Sequence, residues 1–235
     1  MIRFYEKNKL NFSLIWIGIY VAALSFSDAL SDMLGVAKII TAPVGVILSI
    51  FLLVWLRRHD LMKDTGLRSF RGSGRAYLWF VPLIVISSCN LWQGVGIQLS
   101  VAETALYLLS MLSVGFLEEV IFRGFLYRAM RDAGVRCAIL ISGLTFGFGH
   151  IVNLLNGAEL LATLLQICYA AAIGVLFTVI YHKSGSLVPC IISHCAVNML
   201  SAFAVESGGT ADMINAAVLT IIPLLYALWI WKKAD

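Results

Sequence analysis

Eight long apolar runs divide this sequence, and they constrain its fold more than any other feature. They cover approximately Leu10–Phe26, Ala37–Leu56, Ala76–Leu91, Ala102–Tyr127, Cys137–Val152, Leu160–Tyr181, Leu187–Val205 and Met213–Trp231. A helix that crosses a bilayer needs about 20 mostly apolar residues. Because backbone groups in lipid must be hydrogen-bonded within the protein, we interpret all eight runs as helices. The third and fifth runs are short or interrupted by polar residues, so their ends are poorly defined by the sequence.

The composition agrees with a membrane protein. Of the 235 residues, 60% are apolar and only 13% are charged, whereas about 25% are charged in a typical soluble domain. A soluble chain of this size has too little polar surface to cover so many apolar side chains. This excludes a water-soluble enzyme, a disordered chain and a nucleic-acid-binding protein. We predict an all-α polytopic membrane protein that forms a bundle of about eight transmembrane helices, with a single domain over residues 1–235.

Basic residues predict how the helices are oriented. If the eight runs cross the membrane in turn, all but one of the 17 Lys and Arg residues fall on the side that holds both termini, and Lys38 is the exception. The positive-inside rule therefore places both termini in the cytoplasm, which we expect to be that of a prokaryotic cell. The first run follows a basic segment but lacks a clear small-residue cleavage pattern, so we expect an uncleaved helix and not a signal peptide.

Ionisable side chains inside the runs are candidate functional residues, because burying them in a bilayer is costly. The fourth run contains Glu118, Glu119 and Arg123, the fifth ends near His150, and the seventh contains His194. Glu119 and Arg123 are four residues apart, so they share one helix face and form a favourable pair. Glu118 has no such partner in its own helix. The doublet thus divides into a structural carboxylate, Glu119, and a candidate general base, Glu118.

The other polar residues repeat the four-residue spacing. His194 and Asn198 share one face and form a donor and acceptor pair suited to holding a carbonyl oxygen, and Phe146 is placed to pack on His150. At 1.5 Å per residue, Glu118, His150 and His194 lie about 14, 20 and 10 Å from the inner ends of their helices. We therefore expect one polar active-site chamber in the inner half of the bilayer.

Three motifs, EExxxR at Glu118, FxxxH at Phe146 and HxxxN at His194, resemble those of the CAAX-protease and bacteriocin-processing (CPBP or Abi) family of intramembrane proteases. The resemblance covers roughly Ala102–Val205, and the six motif residues show no departure from the pattern. It implies an endopeptidase that cuts a membrane-associated peptide or protein. Carried over to this sequence, the family roles imply that Glu118 activates water with assistance from His150. They further imply that His194 and Asn198 stabilise the oxyanion, and that Glu119 and Arg123 support these active residues. Eukaryotic members cut prenylated CAAX tails, while bacterial members often act in peptide processing or bacteriocin immunity.

A zinc-dependent form of the same reaction is an alternative. Glu118, His150 and His194 would form a chemically acceptable His₂Glu ligand set with an open water position. Zinc would, however, take the only carboxylate not engaged by Arg123, and the sequence has no HExxH motif. We therefore expect a metal-free enzyme with no cofactor.

Other functions use the same residues. Cys190 lies one turn before His194 and could form a cysteine-peptidase set with His194 and Asn198, although the remaining cysteines suggest small buried hydrophobic side chains. Two non-catalytic alternatives are a proton-coupled transporter and an immunity protein that binds a bacteriocin without cutting it. In a third, the polar residues only hold the helices together by hydrogen bonds.

Overall fold

The computed structural model describes residues 1–69, 80–205 and 208–233. Helices form almost all of this described part. They are α1 Ile2–Lys7, α2 Lys9–Met33, α3 Thr41–Arg58, α4 Val81–Ser87, α5 Val101–Glu118, a π-helix Glu119–Tyr127, α6 Arg128–Met130, α7 Val135–Gly149, α8 Leu160–Ser184, α9 Val188–Leu200 and α10 Thr210–Lys233. Short 3₁₀ turns follow α4, α6, α7 and α9.

Six helical segments of the described chain are long and apolar enough to cross a membrane. They are Lys9–Met33, Thr41–Arg58, Val101–Ala133, Val135–Leu154, Leu160–Ser184 and Thr210–Lys233. Large apolar side chains such as Ile47, Ile84 and Leu225 lie exposed on the outside of the bundle, as expected of a surface that faces lipid. The predicted all-α polytopic membrane fold is confirmed.

The third and seventh predicted spans are shorter than expected. The run Ala76–Leu91 begins among residues 70–79, which lie outside the described residues, and α4 contains only seven residues. The seventh run forms α9, of 13 residues, which spans about 20 Å of a hydrocarbon core about 30 Å thick. These two helices pack against each other, and α9 also packs against α5. Their neighbours cover each of these helices on one side, whereas Ile84 and Ile192 lie exposed on the other side.

Close packing of α7 against α8 depends on two glycines. A Cβ atom placed on Gly143 would lie 2.8 Å from the backbone nitrogen of Val175, and one on Gly147 would lie 2.7 Å from that of Ala171. Small residues of this kind allow membrane helices to approach closely. The contact matters for the site because α7 carries His150 at its end.

We expect Gly147→Ala to lower the free energy of unfolding by about 1–3 kcal/mol, because the added methyl group forces α7 and α8 apart. Gly18→Ala is the matched control, since a Cβ there meets nothing within 4 Å. Thermal unfolding of the two purified variants in the same detergent gives the comparison. Equal stability of both would show that the α7–α8 contact tolerates a larger residue.

Candidate active site

Helix α5 changes its hydrogen-bonding pattern at the glutamate doublet. Its last α-helical residue is Glu118, and the chain continues without interruption as a π-helix of nine residues that begins at Glu119. All nine residues are buried. Most π-helical segments are single-turn bulges, and they are frequent at functional sites. The glutamate doublet therefore lies at the junction between α-helical and π-helical hydrogen bonding.

Glu119 and Arg123 form the predicted ion pair. The Nη1 atom of Arg123 donates to Oε1 of Glu119 at 2.8 Å, and neither side chain has any exposed surface. The Nη2 atom donates to the carbonyl oxygen of Gly174 in α8 at 3.2 Å. The guanidinium group also lies 4.4 Å from the centre of the Phe146 ring. Arg123 therefore links the π-helix to α7 and α8 as well as neutralising Glu119.

Glu118 has its partners on other helices. The hydroxyl group of Tyr20, in α2, donates to Oε1 of Glu118 at 2.7 Å. Nε2 of His194, in α9, lies 3.2 Å from Oε2. The sequence prediction that Glu118 lacks a partner therefore holds only for its own helix. Three helices that are distant in sequence meet at this one carboxylate.

His194 lies between the two glutamates, which differs from its predicted pairing with Asn198. Its Nδ1 atom is 2.8 Å from Oε1 of Glu119, while Nε2 faces Glu118. An ionised carboxylate only accepts hydrogen bonds. Both contacts therefore require a proton on each ring nitrogen, or a proton on one carboxyl group. The packing of α9 against α5 directs the imidazole of His194 toward the two glutamates. The ring therefore contacts both carboxylates.

His150 begins the 3₁₀ turn His150–Leu154 that follows α7. Its Nδ1 atom lies 3.1 Å from the carbonyl oxygen of Phe146, and the two rings pack edge to face with centres 5.3 Å apart, as the spacing predicted. Because a carbonyl only accepts, Nδ1 carries the hydrogen in this contact, and Nε2 is the nitrogen that can accept a proton. The Phe146 ring also packs against His194.

A cavity of about 720 Å³ connects these residues. Glu118, His150, His194 and Asn198 line it, whereas Glu119 and Arg123 lie behind the wall. The structure thus gives the two glutamates different environments. The cavity also extends further than the predicted inner-half chamber, because it continues along the helices to Asp28 and Glu159 at their far ends.

The zinc alternative names Glu118, His150 and His194 as ligands, and all three line the cavity. Among residues 1–69, 80–205 and 208–233, no group of three His, Cys, Asp or Glu side chains is placed to hold a metal ion. Both nitrogens of His194 face carboxylates, and Nδ1 of His150 faces a backbone carbonyl. These contacts join the side chains to one another, and the expectation of a metal-free enzyme stays a prediction.

The cysteine alternative receives no support from the contacts. The Sγ atom of Cys190 is fully buried and donates to the carbonyl oxygen of Phe177 at 3.4 Å, in place of a contact with His194. Cys89 and Cys195 are also buried. The expectation that nearly all the cysteines are buried is wrong for Cys137 and Cys168, which are exposed on the apolar surface.

Tyr20 is the site residue that the sequence did not reveal. It lies 98 positions before Glu118 and in a run that contains several other aromatic residues. The only signal is a hydroxyl group near the middle of an apolar helix, where a polar group normally has a partner. That signal predicts a partner but does not identify it.

Two buried carboxylates, the buried His194 and the half-buried His150 and Asn198 thus meet at or behind the wall of one cavity within the helix bundle. Residues 100–200 match the family model described as Type II CAAX prenyl endopeptidase Rce1-like. No curated protein matches the chain, and no solved structure does. The matched segment contains α5, the π-helix, α7, α8 and α9, with all six candidate residues. The match covers less than half of the chain, and over this segment it confirms the resemblance to the CAAX-protease family drawn from the motifs. The family indicates a CAAX-protease-type endopeptidase with a membrane-associated peptide substrate.

Proposed function

We propose that this protein hydrolyses a peptide bond of a membrane-associated peptide or protein with water activated by Glu118. The observation that carries the proposal is the separation of the two glutamates. Glu118 lines the cavity, whereas Glu119 lies behind it, bonded to Arg123 and His194. A carboxylate that can meet substrate and water is suited to act as a general base.

The proposed reaction assigns each cavity residue a role. Glu118 accepts a proton from water, and the water oxygen forms a bond to the carbonyl carbon of the substrate. The amide group of Asn198, on the cavity wall, donates to the oxyanion that develops. The C–N bond then breaks, and the leaving nitrogen takes the proton from Glu118 with assistance from His150. His194 positions Glu118, a role that its two contacts support better than direct oxyanion binding.

We propose that this reaction needs no metal ion. The position of Glu118 on the cavity wall supports this, because a carboxylate that binds zinc is no longer available as the base. So does the direct contact of His194 with Glu118, which occupies the atoms that zinc would use. Activation of water by Glu118 needs no change in the contacts that Glu118 makes with His194 and Tyr20.

The experiment that tests the function uses the peptides that accumulate when the protein is inactive. Membranes from cells that express only the Glu118→Gln variant are incubated with purified wild-type protein, and new peptide termini are identified by mass spectrometry. We expect a small set of new termini in membrane-associated peptides. The same incubation with purified Glu118→Gln protein is the control, and identical termini in both samples would overturn the proposal.

Tyr20 is expected to act as a positioning residue for Glu118. Tyr20→Phe removes a hydrogen bond to a charged group, worth about 1.5–3 kcal/mol, so we expect kcat to fall about tenfold or more with KM unchanged. The matched control is Tyr226→Phe, because the buried Tyr226 hydroxyl has no hydrogen-bond partner among the described residues and lies outside the cavity. A loss of thermal stability without a change in kcat would show that Tyr20 is only structural.

A further inference from the structure

The exposed lining residues Asn156, Glu159 and Asp212 place the mouth of the cavity at one end of the helix bundle. Its deep part lies at Glu118 and Phe177, and from there the lining continues to Asp28 in α2, Asn156 after α7 and Glu159 before α8. Within the described chain, its lining does not include the opposite ends of these helices.

Those opposite ends carry the basic residues. Helix α2 begins at Lys9, α3 ends with Arg57 and Arg58, α8 ends with Lys183, and α10 ends with Lys232 and Lys233. Every one of these residues lies at the end of its helix away from the cavity mouth. The positive-inside rule assigns the basic ends to the cytoplasm. The mouth therefore faces the other side of the membrane.

The mouth is acidic. Among the described residues, three carboxylates line it, Asp28, Glu159 and Asp212, against one cation, Lys38. Lys38 and Asp28 form an ion pair at 2.8 Å and offset each other, so Glu159 and Asp212 make up the excess of acidic over basic groups. A cleft lined mainly by one sign of charge raises the local concentration of the opposite charge. Cationic segments are therefore favoured at this entrance.

Hydrogen-bonding groups lie among the apolar side chains of the walls between the mouth and Glu118. Tyr107 contacts Ser201 at 2.9 Å, and Asn153 donates to Gln166 at 2.9 Å, all four lining the cavity. Amide and hydroxyl groups of this kind suit the backbone of an extended peptide.

We infer that the substrate is a basic peptide segment on the non-cytoplasmic face of the membrane, and that it enters the site from that face. That the segment is cut after it enters rests on the proposed function. The direction of the mouth rests on geometry and charge alone. The substrate class is then a polypeptide that is already inserted or exported when it is cut.

Cysteine labelling tests the direction of the mouth without any assay of cleavage. Asn156→Cys, at the mouth, and His59→Cys, at the basic end, are each made in a protein with Cys137, Cys168 and the cavity-lining Cys89 replaced by alanine. Right-side-out membrane vesicles are treated with a membrane-impermeant maleimide. We expect the Asn156→Cys variant to be labelled at once and the His59→Cys variant only after permeabilisation. The reverse pattern, or labelling of both only after permeabilisation, would overturn the inference.

Charge reversal at the mouth tests the substrate class. With a cleaved peptide from the experiment above, we expect Glu159→Lys to raise KM about tenfold with kcat unchanged, because a positive mouth repels a basic segment. Glu6→Lys, an exposed residue of α1 at the opposite end, is the control. An unchanged or lower KM would overturn the basic-substrate inference. If wild-type protein cuts nothing, the proposed function fails, while the labelling result still decides the direction of the mouth.

Discussion

Glu118→Gln is expected to abolish cleavage while the protein remains folded. Glutamine keeps the shape of the side chain, and its amide oxygen can still accept the hydrogen bond that Tyr20 donates. It cannot take a proton from water, and loss of a general base costs about 10²–10⁴-fold in rate. The measurement is the rate of cleavage by purified variant protein, with thermal unfolding measured on the same sample.

The matched control for this change is Glu6→Gln, which alters an exposed carboxylate far from the cavity. It is expected to leave both rate and stability unchanged. If the Glu118→Gln variant keeps more than about a tenth of the wild-type rate, below the range of losses expected for a general base, Glu118 is not the base.

Arg123→Ala is expected to cause the largest loss of stability. The change leaves the carboxylate of Glu119 buried without its main partner and removes the donor to Gly174. Breaking a buried ion pair from one side costs about 3–5 kcal/mol. Thermal unfolding in detergent should show this loss, whereas Arg58→Ala, at an exposed position in the last turn of α3, should not. Glu119→Gln is expected to cause a smaller loss of both stability and activity.

The two glutamates are assigned different roles, so these variants must behave differently. Normal stability together with equal and complete loss of activity in Glu118→Gln, Glu119→Gln and Arg123→Ala would contradict that assignment. All three residues would then take part in the reaction directly.

The sequence predicted the helices well, because a bilayer requires long apolar segments with all backbone groups paired. It was less successful for α4 and α9, which are short. Hydropathy does not report whether a helix is partly covered by its neighbours. The π-helix at Glu119 had no sequence signal, because its hydrogen-bonding pattern depends on the packing around it.

Within the site, the contacts that follow helical spacing were predictable, and those between distant helices were not. Spacing alone was enough for the pairing of Glu119 with Arg123 and of Phe146 with His150. The position of His194 between the two glutamates depends on how α9 is rotated against α5. Rotation and depth of one helix against another are set by packing, which a single sequence does not contain.

The central claim is that Glu118 activates water without a metal ion, and metal content measured together with activity tests it most directly. Purified wild-type protein is treated with a chelator for a prolonged period, dialysed, analysed for zinc and assayed on the peptides that accumulate in Glu118→Gln membranes. The account predicts full activity in protein with far less than one zinc per chain. One zinc per chain, with activity lost on chelation and restored by zinc, would contradict it.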